Sequence, residues 1–353
     1  MINFANPKSE YSFLKKKINK KIVRVLDSNN YVLGKEVEKF EINFSKINKS
    51  KYCVGVSSGT DALIIALKAL KVNYGDKVIV PSHTALATVS AIVEAGCIPI
   101  FADINNEFNI DFNKLKHADL KAAKILIAVH LYGNPCDIKS MLKVKKKYKL
   151  KVIEDCSQAH LAKYSRKYVG NYGDISCYSF YPTKNLGTYG DAGAIITNNK
   201  KLYLKSKGLR QYGWKSNKKK SDFHGSNKRL DEIHAAILNL KLKYLKYFNF
   251  KRVEIAKLYL KSIINKKIIL PSINLKSQSV YHLFVIRVPA NKREKILKIF
   301  KNKKINLGIH YSIPCHLQKP YKIFSKDKLK VTEKYSKEIL SLPIYTFLQK
   351  KEI

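Results

Sequence analysis

Apolar residues spaced three and four apart form the first regular pattern: Val37, Phe40, Phe44 and Ile47 share one face of a helix expected over Glu36–Ile47. Beyond it the pattern shortens into runs that are apolar on both faces. Tyr52–Val56, Lys77–Val80, Ile98–Asp103, Lys124–His130 and Lys151–Glu154 read as strands. Helix-compatible stretches, Asp61–Leu70, Thr84–Glu94 and Ile138–Tyr148, lie between several of them. A strand apolar on both faces is buried on both faces, so this alternation predicts an α/β fold: a mostly parallel central sheet with helices on both faces.

Two further runs, one ending at Ser179 and one over Ala192–Thr197, flank a turn containing Gly187, Gly190 and Gly193. After about Asn227 the character changes. Leu230–Tyr247 and Lys251–Ile264 read as long helices, Tyr281–Val288 as a strand and Arg293–Lys301 as a helix. The expected organisation is a large α/β domain over residues 1–250 and a smaller C-terminal α+β domain over 251–353, with residues 1–20 able to pack on the smaller one. Lys215–Lys220 reads as a mobile, solvated surface loop.

Charge changes this picture little. The chain has 353 residues, 45% hydrophobic, and a formal net charge of +42. Only seven of its 68 basic residues are arginine, and the lysines run from end to end without forming one basic arm. Nucleic-acid binders concentrate basic residues on one face and favour Arg for bidentate contacts. The charge therefore reads as compositional bias with no specific nucleic acid as partner, though it would help attract a phosphate-bearing substrate. The six cysteines are scattered, with no CxxC pair and no nearby His cluster, as expected of reduced thiols and not of a disulfide framework or a metal site. The opening MINFANPKSEYSFLKKK lacks the apolar core of a signal peptide, and no apolar run approaches bilayer length. These features set a cytoplasmic, non-membrane expectation.

Candidate chemistry gathers on a few turns. Lys184 stands between two candidate buried strands, where lost hydration would favour the neutral amine and make it a Schiff-base nucleophile; a solvated loop lysine is the plain alternative. Ser58, Gly59 and Thr60 open a helix and suit a phosphate cradle, although Ser and Thr are also ordinary N-caps. Asp155 falls at a strand's C-terminal end, with Gln158 and His160 just beyond. A carboxylate there could keep a ring nitrogen protonated, or simply cap a turn. Ser179 could share the phosphate, and His83, at another strand end, could stack on a flat ring. His310, Tyr311 and His316 form a His-rich loop that either binds substrate or lies on the surface.

In combination these segments are far more specific. SSGTDAL (57–63), VIVPSHT (78–84), VIEDCSQAH (152–160), SFYPTKNLG (179–187), NKRLDE (227–232) and GIHYSIPCHLQ (308–318) follow one another in an order that resembles the fold-type-I pyridoxal-phosphate enzymes, in particular the DegT/DnrJ/EryC1/StrS sugar aminotransferases. The resemblance covers nearly the whole chain. It implies that Lys184 carries pyridoxal 5'-phosphate, that Asp155 pairs with the pyridinium nitrogen, that Gln158 lies near the ring hydroxyl and that His83 stacks on the ring. Ser58, Gly59, Thr60 and Ser179 would hold the phosphate. Asn227 would reach the phosphate of a neighbouring subunit, making a homodimer with shared active sites. His310, Tyr311 and His316 would face the sugar nucleotide.

Two departures stand out. The family usually has Gly where this chain has Leu161, and Gly-Asp-Gly-Gly where it has Gly190-Asp191-Ala192-Gly193. A bulky residue would be costly if the backbone needed a positive φ there. A terminal helix is also common in the family beyond LSLPIY (340–345), so this copy is expected to be shortened.

The implied reaction moves an amino group from an amino acid, expected to be glutamate, to a keto sugar nucleotide. The loop 308–318 leans towards dTDP-linked 3-keto-6-deoxyhexoses; a 4-keto sugar is the alternative. A relative that dehydrates would have replaced Lys184, and a non-catalytic regulator of the same fold would bind DNA independently of that lysine.

Overall fold

The strands fall where double-faced apolar runs place them. The computed structural model describes residues 1–214, 220–325 and 327–353; residues 215–219 of the expected solvated loop lie outside the described residues. In chain order the large sheet contains β1 (Tyr52–Val56), β2 (Lys77–Pro81), β3 (Ile98–Ala102), β4 (Ala123–Val129) and β5 (Lys151–Asp155). A hairpin of β6 (Lys163–Tyr164) and β7 (Lys167–Tyr168) follows, and then β8 (Ile175–Ser179) and β9 (Gly193–Thr197) return to the sheet. Its spatial order is β1-β9-β8-β5-β4-β2-β3. Only β9 runs antiparallel to its neighbours, with Val56 opposite Gly193 on one side and Ser179 opposite Gly193 on the other.

Helices cover both faces. Those of the first half are α1 (Pro7–Leu26), α2 (Lys35–Asn48), α3 (Gly59–Ala69), α4 (Leu86–Glu94), α5 (His117–Ala122), α6 (Ile138–Tyr148) and α7 (Lys200–Leu209). The apolar stripe of α2 behaves as its spacing requires, with Val37, Phe40 and Phe44 buried against Tyr178 and Phe180 of the β8 region. Asp137 caps α6 by accepting from the Ser140 amide at 3.2 Å, which fixes the start of that helix. Among the described residues no helix is long and apolar enough to cross a membrane.

The long helix expected over Leu230–Tyr247 is two helices, α8 (Glu232–Leu242) and α9 (Leu245–Ser262). No Gly or Pro marks the break. The chain tightens into three-residue turns, with Tyr244 N–H donating to Lys241 C=O at 2.9 Å, where Lys241 is itself held in the core. Redirecting the chain lets Phe248 pack on Leu14 and Ile18 of α1, and Ile255 and Tyr259 on a second, smaller sheet. Residue 250, the expected domain boundary, therefore falls inside α9. That second sheet pairs β11 (Phe284–Arg287) with β12 (Ile339–Leu342), while the short β10 (Ser277–Gln278) joins β6. The helices α10 (Arg293–Asn302) and α11 (Lys330–Glu338) complete the C-terminal region.

Leu161 adopts a φ of 62°, the left-handed conformation for which a glycine would be natural. That backbone costs about 1–2 kcal/mol for an L-residue. The side chain is buried among Phe180, Leu186 and Val280, which offsets the cost. Ala192 has no positive φ, so the missing glycine there carries no strain.

Candidate active site

The C-terminal ends of β5 and β8 and the N-terminus of α3 meet at one cavity of about 260 Å³. Ser58, Gly59, Thr60, Thr88, Asp155, Ser157, Gln158, Ser179, Tyr181, Lys184 and Asp191 line it. At the mouth of α3 the Ser58 hydroxyl accepts from the Asp61 amide at 3.0 Å, so the N-cap reading holds. The cradle reading holds beside it. A helix N-terminus leaves its first amides without intrahelical partners, and Gly59 and Thr60, the first residues of α3, both line the cavity. Two glycines make the approach possible. A Cβ on Gly59 would lie 2.6 Å from Ser179 Cβ, and one on Gly193 would lie 2.2 Å from the Ser58 carbonyl oxygen.

Lys184 reaches into this cavity from the turn after β8. Its amine is lowered from 10.5 to about 8, chiefly by burial, with the Asp155 carboxylate opposing the shift. The turn is rigid behind it. Asn185, fully buried, donates to Asn249 Oδ1 at 2.8 Å and to the Val280 carbonyl at 3.0 Å. The Asp155 oxygens accept from Thr88 Oγ1 at 3.0 Å and from the Ser157 amide at 3.1 Å, which orients the carboxylate. Gln158 accepts from the Tyr132 amide at 2.7 Å and donates to Tyr311 Oη at 3.2 Å. Thr88, Ser157 and Tyr132 were not singled out in the sequence. Thr88 shares a mostly apolar helix with Ser90, and nothing local marks which hydroxyl faces the site.

The predicted site residues do not all gather on the cavity. Ser58, Gly59, Thr60, Asp155, Gln158, Ser179 and Lys184 line it together. His83 lies deeper, buried among the rings of Phe108, Tyr132 and Tyr311 at centroid distances of 5.7, 6.2 and 6.2 Å. His310 and Tyr311 approach through Gln158 and Tyr132. His316 is fully buried away from the cavity, with Nδ1 2.6 Å from Ser82 Oγ and Nε2 3.4 Å from Glu333. Asn227 is exposed and stands outside the cavity of its own chain. Its neighbour Lys228 pairs with Asp61 of α3, which also receives the Ser57 hydroxyl.

Burial holds several histidines neutral. His83 and His310 are lowered to about 4 and His160 to about 3, and His282 falls well below its ordinary value; in each case burial is the largest cause. A histidine whose folded pKa lies below its unfolded value takes up protons on unfolding. Its contribution is complete above about pH 6.5 and is lost as pH falls towards 4. With four such groups, stability is expected to fall by up to about 5 kcal/mol per pH unit across that window. Denaturant titrations at pH 7, 6 and 5 check this, and a flat profile contradicts it.

A desolvated amine facing a carboxylate, with amides left open for an anion, suits an enzyme that works on amines through a phosphorylated aldehyde. Over residues 13–353 the sequence matches the model of the DegT/DnrJ/EryC1/StrS aminotransferase family, and the chain belongs to that family. It is an aminotransferase, and its cofactor is pyridoxal 5'-phosphate. A dTDP-3-amino-3,6-dideoxy-alpha-D-galactopyranose transaminase of Aneurinibacillus thermoaerophilus is 42% identical over 355 residues, covering 100% of this chain and 97% of that protein. The crystal structure of DesV from S. venezuelae matches with a TM-score of 0.94 at 33% identity, covering 99% and 95% of the two chains. NtdA from Bacillus subtilis, solved with bound cofactor PMP, matches with a TM-score of 0.90 at 34% identity, covering 96% and 79%.

Proposed function

We propose that this enzyme transfers the amino group of glutamate to the keto carbon of a nucleotide-linked sugar, with a dTDP-linked 3-keto-6-deoxyhexose as its substrate. The observation that carries the reading is the Lys184 amine, lowered to about 8 inside a cavity that Asp155 and the N-terminal residues of α3 also line. The resemblance of the substrate loop and the similarity to a dTDP-3-amino-3,6-dideoxygalactose transaminase support the choice of sugar.

Ser58, Gly59, Thr60 and Ser179 would hold the phosphate, Asp155 the ring nitrogen and Gln158 the ring hydroxyl. Bound pyridoxal phosphate supplies an aldehyde that captures amines and a ring that accepts the electron pair released at the donor's α-carbon. Asp155 would keep the proton on the ring nitrogen. With the cofactor bound, Lys184 Nζ would serve as the proton carrier, taking the donor's α-proton and delivering it one atom along. A pKa near 8 suits this, because both protonation states are populated at working pH. Thr88 and Ser157 hold the Asp155 carboxylate in place while the charge moves.

Asn227, exposed beside the Lys228–Asp61 pair, would complete the phosphate site of a second copy, making the working unit a homodimer. The reaction would take place in the cytoplasm.

Incubation with 15N-glutamate and dTDP-3-keto- or dTDP-4-keto-6-deoxyhexose tests the substrate. The label is expected in the 3-amino sugar nucleotide. Transfer to the 4-keto isomer alone would reassign the sugar, and label retained in glutamate with both would reject the reading.

A further inference from the structure

Tyr132 lies in the turn after β4, buried, with a φ of 59°. For an aromatic residue that backbone costs about 1–2 kcal/mol, so its surroundings must hold it there. They do so at both ends. The amide of Tyr132 donates to Gln158 Oε1 at 2.7 Å, and Gln158 Nε2 donates in turn to Tyr311 Oη at 3.2 Å. The hydroxyl of Tyr132 donates to the His310 carbonyl, while His83 Nε2 lies 2.7 Å from the same hydroxyl oxygen.

These contacts fix where the protons are. A carbonyl oxygen only accepts, so the Tyr132 proton is committed to His310. The second bond must then be donated by His83 Nε2–H. His83 Nδ1 is left as a bare acceptor, and it is buried without a protein partner. The low pKa of His83, about 4, agrees with a neutral ring at neutral pH.

We propose that Tyr132 is a positioning residue that clamps the His310–Tyr311 segment to the cofactor end of the cavity and holds His83 as its neutral Nε2–H tautomer. The clamp joins three residues, His83, Gln158 and His310, that come from separate parts of the chain. It rests on the reading of residues 308–311 as the sugar-facing loop. His310 has a second anchor, its Nδ1 lying 2.8 Å from Ser341 Oγ, and its ring packs 5.1 Å from that of Phe4. Loss of the Tyr132 hydroxyl should therefore loosen the loop without unfolding it.

Tyr132→Phe keeps the ring and removes only the hydroxyl. In a peptide covering residues 307–316, exchange of the Gly308 and Cys315 amides, which donate to the Ser341 and Ser82 carbonyls at 3.0 and 2.9 Å, is expected to rise at least fivefold, while the peptide around Lys184 is unchanged. In the cofactor-loaded protein, the half-reaction run backwards from the 3-amino sugar nucleotide should lose at least tenfold in kcat/KM, mostly through KM. The glutamate half-reaction should stay within threefold. Unchanged exchange, or equal losses in both half-reactions, would overturn the clamp. If the wild type converts glutamate but no sugar nucleotide, the function reading fails while hydrogen exchange still decides the clamp. His83→Phe gives a second check: it strips the donor from Tyr132 and should loosen the same peptide by a smaller factor, and wild-type protection there would also count against the proposal.

Discussion

Replacing Lys184 with alanine is expected to lower kcat for transamination by at least about 10⁴-fold, since under the proposed function the residue would be both the covalent anchor and the proton carrier. The same change should stabilise the cofactor-free protein. A lysine held near 8 against an ordinary 10.5 is penalised by folding whenever it is charged in the unfolded chain. That penalty is complete below about pH 8 and disappears as pH rises through 10.5, so alanine is expected to gain up to about 3 kcal/mol at pH 7 and nothing near pH 11. Denaturant unfolding of the two apo-proteins at both pH values checks the sign. A destabilised alanine variant would mean that Lys184 is an ordinary structural lysine.

The second large effect belongs to a pair that does not line the cavity. Lys241 of α8 is fully buried; its ammonium donates to the Gly187 carbonyl at 2.5 Å and lies 2.7 Å from Glu10 of α1. Thr346 donates to the other Glu10 oxygen at 3.0 Å. Gly187 belongs to the same turn as Lys184, so the first helix braces the turn that carries Lys184 through this relay. Lys241→Met leaves a buried carboxylate without its partner and is expected to cost about 3–5 kcal/mol. The double variant Glu10→Gln/Lys241→Met removes both charges and should recover most of the stability. Activity should stay reduced in both, because the Gly187 carbonyl has lost its donor. Urea midpoints and kcat measured together separate the two effects; equal midpoints for the single and double variants would count against the ion pair.

What could be read from the sequence followed from how local the signal was. The buried strands were legible because their apolar runs are unbroken on both faces, and six of them fall within a residue of expectation. Lys184 was legible because two such strands bracket it. The break between α8 and α9 was not, since no Gly or Pro marks it and its cause is the tertiary fixing of Lys241. Lys241 itself looks like any other lysine in this lysine-rich chain; its partner Glu10 lies on the first helix, and no local pattern links them. The same limit applies to His316. A His-rich loop suggests an accessible surface, but Ser82 at the end of β2 and Glu333 in α11 take both its ring nitrogens into the interior. Tyr132 is missed for a related reason, as its value lies in the partners that converge on its hydroxyl. Leu161 is the opposite case: the positive φ suspected from its position is present, and burial accommodates the side chain.

The most direct test is the visible absorbance of the purified protein, before and after borohydride, beside the Lys184→Ala variant. The account predicts a cofactor chromophore in the wild type that borohydride fixes to the peptide containing Lys184, that glutamate bleaches, and that the alanine variant lacks. A colourless wild type that pyridoxal phosphate cannot reconstitute, or a chromophore that persists without Lys184, would contradict it.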